Sequence, residues 1–580
     1  MEQKILEQKR HTLAHLLAQA VVAHYPDVHL TLGPAIENGF YYDIDFGDKQ
    51  ISDKDLKTFQ KTMRKSLSKW KEFTHETISC DKAKEYYKGN PYKTELIEGI
   101  EERGEDITLY TCGGFTDLCR GGHTEHPSEE ISADSFKLES VAGAYWRGDE
   151  NNPMLTRIYG LAFNTKEELD AHVSMQEEAK KRDHRKLGAE LDLFTFSPLV
   201  GSGLPLFTPR GTAMRDAIIN KIQNIQKDLG YSRVSIPHIT KKDLYETSGH
   251  WDKFGDELFK VKGQSDTQFV MKPMNCPHHT QIFASQARSY KDLPLRYMES
   301  TMVYRDEQQG ELLGLARVRS ITQDDGHVFC TEDQIEQEVR NIIFVIKELY
   351  TALDMWNEET YWVSLSVRDP QTPEKYLGED SLWDMAEETL EKIALSEGLN
   401  FKRVEGEAAF YGPKLDFMFQ DALGRERQLG TAQLDFVMPS RFSLEYTDNT
   451  GSKQTPVMIH RAIAGSLERF MAIVIEHFAG EFPFWLSPVQ ISIIPVQDSH
   501  SEYAKKVRDA LYGEGFRAEA ELGDDGMGKK VRKVKNMKTP YRIIIGDEEA
   551  SSGKLTLETL NDTKETYTLD ELIEKLKTEM

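Results

Sequence analysis

The first 25 residues, MEQKILEQKRHTLAHLLAQAVVAHY, have an apolar second half that His11, His15 and His24 interrupt. That pattern predicts an amphipathic helix and not a signal peptide. The rest of residues 1–165 mixes helical and strand-like runs, punctuated by Gly and Pro as in LGPAIENGFYYDIDF. In TKEELDAHVSMQEEAKKRDHRKLGAEL, Thr165 and Glu168 have capping-box spacing, and no Gly or Pro follows until Gly188. A single connecting helix over 166–190 is predicted.

Residues 191–487 form a long central block. TQFVMKPM and TYWVSLSV read as strands, QIEQEVRNIIFVIKELYTAL as a helix, and FPFWLSP closes the block. Strands and helices follow no regular βαβ order, which predicts α+β with an antiparallel sheet. In 488–580, the strands VQISIIPV and YRIIIGDEE flank the amphipathic helix SEYAKKVRDALYGEGF, the pattern of a small α/β domain. There is no internal repeat or low-complexity tract. No run approaches the ~20 apolar residues that span a bilayer, so no membrane partner is expected.

Composition narrows this picture. A length of 580 residues predicts about three to four domains. The net charge of −24 excludes a globally basic nucleic-acid coat but leaves room for a local basic groove. The five cysteines, Cys80, Cys112, Cys119, Cys276 and Cys330, are too few and odd in number for a disulfide framework. A cytoplasmic multidomain enzyme or RNA-handling protein is expected.

Five segments carry candidate chemistry. His11 and His15 stand one helical turn apart, and Cys119 and His123 repeat the spacing in the turn-like TDLCRGGHT. On spacing alone these are equally two unrelated pairs or one site, with zinc and metal-free hydrolysis both open. LGYSRVSIP (229–237) reads as a helix end turning into a short strand. MVYRDEQQGELLGLARVRSITQDDGHVF (302–329) reads as two strands around a polar loop. Its Arg305, Arg317 and Arg319 suit bidentate phosphate binding; a solvated hairpin is the plainer alternative. IHRAIAGSLERFMAIVIEHF (459–478) reads as an apolar helix carrying Arg469 beside Glu468. An arginine in such surroundings requires an anionic partner, either a structural carboxylate or a ligand phosphate. No Gly-x-x-x-x-Gly-Lys-Ser/Thr loop is present, so any ATP site belongs to another fold.

The order and spacing of the last three segments resemble motifs 1, 2 and 3 of class II aminoacyl-tRNA synthetases. MKPMNCPHH, TQDDGHVF, PVMIHRAIAGSLERF, HTLAHLLAQA, FTDLCRGGH and AGAYWRGDENN, with the C-terminal domain, resemble threonyl-tRNA synthetases over nearly the whole chain. The resemblance implies an α+β multidomain fold with a class II antiparallel core at 191–487. It also implies an α+β editing domain at 1–165 and an α/β anticodon-binding domain at 488–580.

The resemblance further implies one Zn²⁺ per chain on Cys276, His327 and His460. Asp325, Gln323, Tyr411 and Gln433 would contact threonine. Arg305, Glu307, Arg317, Gln428 and Arg469 would hold ATP with Mg²⁺, and His250 would assist transfer to tRNA(Thr). His11, His15, Lys93, Asp117, Cys119 and His123 would form a metal-free site that hydrolyses mischarged seryl-tRNA. Zinc recognition of a hydroxyl rejects valine but not serine, hence a second sieve. The basic GKKVRKVKNMKTPYR (528–542) would contact RNA, and motif 1 would lie at a homodimer interface.

Two departures are expected. The small ubiquitin-like domain common ahead of HTLAHLL in bacterial relatives is absent. Ile321, in RVRSI, stands where relatives carry an adenine-stacking aromatic or methionine. A serine-, proline- or histidine-type ligase, a non-catalytic RNA-binding paralogue and a free-standing deacylase are the alternatives. The cysteine–histidine set, Arg305 and Arg469 oppose them.

Overall fold

The computed structural model describes residues 2–264, 266–357, 359–421 and 424–580. It contains two compact units, Met1–Glu177 and Glu178–Met580.

In the first unit, helix Glu2–His24 packs on an antiparallel sheet ordered His29–Leu30, Gly39–Asp45, Met154–Ala162 and Phe136–Tyr145, with Ala35–Ile36 also paired to Gly39–Asp45. The helix is more enclosed than a surface amphipathic helix. Leu13, Leu16, Leu17 and Val21 join a core with Phe40, Tyr42 and Ile44, and helix Asp53–Leu67 adds Leu56, Phe59 and Met63. From Arg10 to Val21 only His11 and Gln19 escape burial. A second antiparallel sheet, Thr74–Ile78, Ile107–Cys112 and Phe115–Leu118, accompanies helix Pro91–Glu102.

The stretch read as one connecting helix is two, Lys166–Arg182 and His184–Glu190. Asp183 leaves helical geometry and accepts the Arg185 amide proton, restarting the helix as an N-cap.

The second unit is built on an eight-stranded sheet. Its order is Ser232–Arg233, Leu295–Tyr304, Ser320–Cys330, Val457–Ala462, Glu426–Asp435, Lys414–Gln420, Tyr361–Val367 and Phe401–Glu405. The two outermost pairings are parallel and the five between them antiparallel. Side-chain alternation sorts each strand onto two faces. Val328, Cys330, Ile459, Leu434, Ala432, Leu415 and Phe417 point into a core shared with helices Ile335–Ala352 and Leu467–His477. Register places Tyr297, His327, His460, Gln433 and Lys414 in one row on the opposite face. Strand Ser320–Cys330 is mostly buried in the middle of the sheet, so the 302–329 segment is not a solvated hairpin, although much of its 305–319 loop faces solvent.

Residues 459–478, read as one helix, divide instead. Ile459–Ala462 finishes a buried strand, Gly465 turns with φ +64°, and Ser466 caps a helix that begins at Leu467. After the turn the helix packs against the neighbouring strand Ser320–Cys330.

The C-terminal part of this unit holds a five-stranded sheet ordered Ala518–Ala520, Ile491–Pro495, Tyr541–Ile545, Lys554–Thr559 and Lys564–Thr568. The YRIIIGDEE strand ends at Ile545, and Asp547–Ser552 is helical, with the Glu549 carboxylate accepting the Gly546 amide at 2.9 Å. Among the described residues no helix is long and apolar enough to cross a membrane.

Candidate functional site

In the second unit, the strand register sets His327 directly opposite His460. Helix Cys276–Ala284 brings Cys276, its first residue, against them. All three side chains are buried, and their ligand atoms lie within 4.8 Å of one another. His327 Nε2 and His460 Nδ1 are 3.0 Å apart. The other nitrogens are already engaged. His460 Nε2 meets the fully buried Asp435 carboxylate at 2.8 Å, and His327 Nδ1 meets His279 Nδ1 at 2.7 Å. A carboxylate behind a histidine fixes the tautomer that leaves the far nitrogen's lone pair free. Here that lone pair, on His460 Nδ1, points toward His327 Nε2. Burial pushes the Cys276 thiol well above its ordinary range and His327 well below its own. Two imidazole nitrogens and a buried thiol therefore converge, a donor set that suits a metal cation.

Asp325 and Tyr411, also named from sequence, adjoin this group. Asp325 shares the face of His327, its carboxyl raised by burial, and accepts the Asn275 amide at 2.9 Å. Tyr411 stacks 5.1 Å from His460 and donates to Gln433 Oε1 at 2.7 Å. Gln323 lies two residues before Asp325, bridged to Ser466 at the helix start. Gln428 donates to Asp416 at 2.6 Å. His250 follows the left-handed Gly249 and is buried, with Nδ1 2.8 Å from Ser248 Oγ. Burial, then His460, lowers its pKa to about 4.

Arg305 begins the loop after strand Leu295–Tyr304, its pKa lowered first by burial, with Glu257 and Glu307 opposing. Arg317 reaches Glu307 at 2.7 Å and Glu311 at 2.9 Å. Arg319, in contrast, closes the loop by donating to the Glu307 carbonyl at 2.8 Å. Arg469 reaches the fifth strand of the sheet order, donating to the Gln428 carbonyl at 2.7 Å. No carboxylate pairs with it among the described residues, so a structural anion is not its partner. Its neighbour Glu468 instead accepts from the Thr322 amide and hydroxyl, each at 2.7 Å.

The first unit holds a second group. His11 and His15 project from helix Glu2–His24, their rings 4.9 Å apart. After strand Phe115–Leu118, Gly121 and Gly122, both at positive φ, turn the chain and return His123 toward Cys119. Cys119 Sγ lies 3.0 Å from His11 Nε2 and 3.4 Å from His123 Nε2. Asp117 anchors the group, accepting from Tyr42 at 2.6 Å and from buried Lys93 at 2.5 Å, with His15 Nδ1 at 3.3 Å.

The electrostatics reverse those of the first site. Burial opposes the Cys119 thiolate, but hydrogen bonds from His11 and His123 outweigh it and bring its pKa to about 3. Burial likewise opposes charge on His15, yet Asp117 and Cys119 raise its pKa to about 9. Asp117 is held well below the carboxylate range by Lys93 and His15 against its own burial. A cavity of about 360 Å³ lies beside Cys119, lined by Leu96, Ile100, Arg103, Thr108, Arg120 and Arg147 among others.

The structure thus unites all six residues named for the first unit, and unites Cys276, His327 and His460. His279 and Asp435, which engage His327 and His460, and Asn275, which donates to Asp325, were not named from sequence. His279 lies three residues beyond Cys276 on the same helix, and Asp435 shares a strand face with Gln433. Those two periodicities were the available signal.

The sheet and its helices carry a recognisable signature. Residues 259–478 match the tRNA synthetase class II core domain (G, H, P, S and T), and 490–579 match an anticodon binding domain. Residues 107–159 match the threonyl and alanyl tRNA synthetase second additional domain. The fold and these matches define a class II aminoacyl-tRNA synthetase. A threonine–tRNA ligase of Cytophaga hutchinsonii is 46% identical over 94% of this chain and 84% of its own length. One of Gloeobacter violaceus is 46% identical over 96% and 91%. A solved structure described as the RNA binding domain of threonyl-tRNA synthetase from Cryptosporidium parvum superposes with a TM-score of 0.65 at 36% identity, covering 68% of this chain and 98% of that one. The chain belongs to the threonine–tRNA ligases.

Proposed function

We propose that the second unit joins threonine to tRNA(Thr) and that the first hydrolyses wrongly made seryl-tRNA(Thr). As a class II ligase the enzyme uses ATP with Mg²⁺, forms threonyl-adenylate and then transfers the threonyl group to tRNA. The convergence of Cys276, His327 and His460 on one sheet face carries the reading of the first reaction.

Cys276, His327 and His460 would hold one zinc ion per chain, with Asp435 and His279 orienting the imidazoles. Zinc, when bound, would supply a Lewis acid toward the amine and hydroxyl of the amino acid. Asp325, steadied by Asn275, accepts the threonine hydroxyl, and Gln323, Tyr411 and Gln433 border the same pocket. Valine lacks the hydroxyl and would leave Asp325 without its hydrogen bond. Arg305 stabilises charge on the α-phosphate during attack by the carboxylate, and Arg469 holds the γ-phosphate. Glu307, Arg317 and Gln428 complete the ATP site. Ile321, half-buried on strand Ser320–Cys330, offers adenine an aliphatic contact. His250 is held neutral by burial and accepts a proton when the tRNA ribose attacks.

In the first unit, Cys119 with His11 and His123 positions and activates a water. His15 and Lys93, both tied to Asp117, supply positive charge for the oxyanion that forms at the ester. His15 Nδ1 faces the Asp117 carboxylate at 3.3 Å, and Lys93 donates to the same carboxylate, so the group carries its own acid–base partners, which supports a metal-free reaction. The cavity beside Cys119, bordered by three arginines, suits the tRNA 3′ end.

Helix Met527–Asn536 presents Lys529, Arg532 and Lys533 to solvent for tRNA. Phe196, Leu199, Val200 and Leu206 are exposed in the stretch leading into helix Pro209–Asp228, a patch that supports a homodimer. The free cysteines fit the cytoplasm.

Amino-acid-dependent ATP–pyrophosphate exchange tests the ligase reading. Threonine and, more weakly, serine should support exchange, with valine inert. Exchange with valine at the serine level would refute the hydroxyl sieve.

A further inference from the structure

Outside both sites, Asp183, His184 and Glu476 gather at the foot of the loop read as the nucleotide site. Their composition is that of a metal site, but their donors are already committed. The Asp183 carboxylate is taken by Arg185 at 2.5 Å. His184 is buried, and its Nδ1 lies 2.7 Å from Glu476 Oε1. Its Nε2 accepts the Leu315 backbone amide at 3.2 Å. One nitrogen must therefore carry the proton and the other the lone pair, which defines the Nδ1–H tautomer.

These contacts join three elements. His184 opens helix His184–Glu190, Glu476 lies near the end of helix Leu467–His477 that carries Arg469, and Leu315 lies in the 305–319 loop with Arg305, Glu307 and Arg317. Around Leu315 the chain makes a tight turn, with Ala316 and Arg317 amides both donating to the Leu313 carbonyl. Leu315 is fully buried, whereas Leu313 and Arg317 are exposed or nearly so. Gly314 permits the close approach: at φ +49°, a Cβ there would lie 2.4 Å from His184 Nε2. The imidazole thus pins the floor of an otherwise solvent-facing loop to the helix that bears the second ATP arginine.

We infer that His184 is a positioning residue for ATP, setting the 305–319 loop against helix Leu467–His477 without touching substrate. This rests on the reading of that loop as the nucleotide site. In the full chain, His184→Ala should raise the KM for ATP in threonine-dependent exchange by roughly 3- to 10-fold, the scale of one lost buried hydrogen bond. The threonine KM should stay unchanged, and hydrogen exchange at the Leu315 amide should accelerate. His184→Gln retains an acceptor for Leu315 and a donor for Glu476, so it should recover most of the ATP KM and guards against a variant that fails to fold. Unaltered exchange at Leu315 in His184→Ala would overturn the anchor. Accelerated exchange with an unchanged ATP KM would overturn the nucleotide reading of the loop, and the positioning role with it. Equal rises in both KM values, unrelieved in His184→Gln, would show a general structural role instead.

Discussion

The two cysteine–histidine clusters draw on the same side chains and reach opposite charge states. Cys119 is surrounded by imidazoles and sits beside a buried Asp117–Lys93–His15 network, so its thiolate is stabilised from within. Cys276 has acidic neighbours, Asp325 and Asp435, and burial, all of which disfavour the thiolate. What differs is where the carboxylate stands. Asp117 backs a lysine and a histidine whose pKa it helps to raise. Asp435 backs a histidine whose free nitrogen points at two other potential ligands. The first arrangement supplies its own positive charge, and the second calls for a cation from outside. Residue type therefore decides little about metal binding, and the outer hydrogen bonds decide much.

The comparison can be broken most forcefully at Cys119. Cys119→Ala should leave threonine activation within about 2-fold while seryl-tRNA hydrolysis falls roughly 10²- to 10⁴-fold, the range for a lost acid–base group. Seryl-tRNA that still fails to accumulate would remove the editing assignment.

A smaller effect is expected at Asp435. Asp435→Asn keeps the shape but releases the tautomer of His460, and metal affinity, measured by chelator competition, should weaken about 10- to 100-fold. An unchanged affinity would mean that the carboxylate does not orient the ligand.

The smallest effect concerns pH. His15 has a raised pKa, so its stabilising contribution is complete below its ordinary value of 6.5 and fades as pH rises through about 9. Thermal melting of the first unit should therefore decline between pH 7 and 10, and His15→Gln should flatten that decline by a few degrees, about 2–4 °C per kcal/mol. Parallel curves for both proteins would contradict the paired His15–Asp117 state.

Much of the fold was legible because long periodic runs such as Ile335–Ala352 and Tyr361–Val367 announce their type. Residues 459–478 were not, because a strand buried on both faces and a buried helix are equally apolar, and only Gly465–Ser466 marks the junction. The break at Asp183 was hidden in a charged helical run, although an aspartate is a common N-cap. The paired spacing of His11, His15, Cys119 and His123 left one site and two unrelated pairs equally open, and the resemblance to a family joined them. His327 and His460 are 133 positions apart, and only strand register or family likeness could join them. Their outer partners His279 and Asp435 depend on side-chain direction, which residue order alone does not display.

The most direct test of the central claim is the metal content of the purified full chain, alongside Cys276→Ala and Cys119→Ala. The account predicts about one zinc per chain in the parent and in Cys119→Ala, and close to none in Cys276→Ala. Two zinc ions per chain, or zinc lost with Cys119 and kept without Cys276, would contradict it.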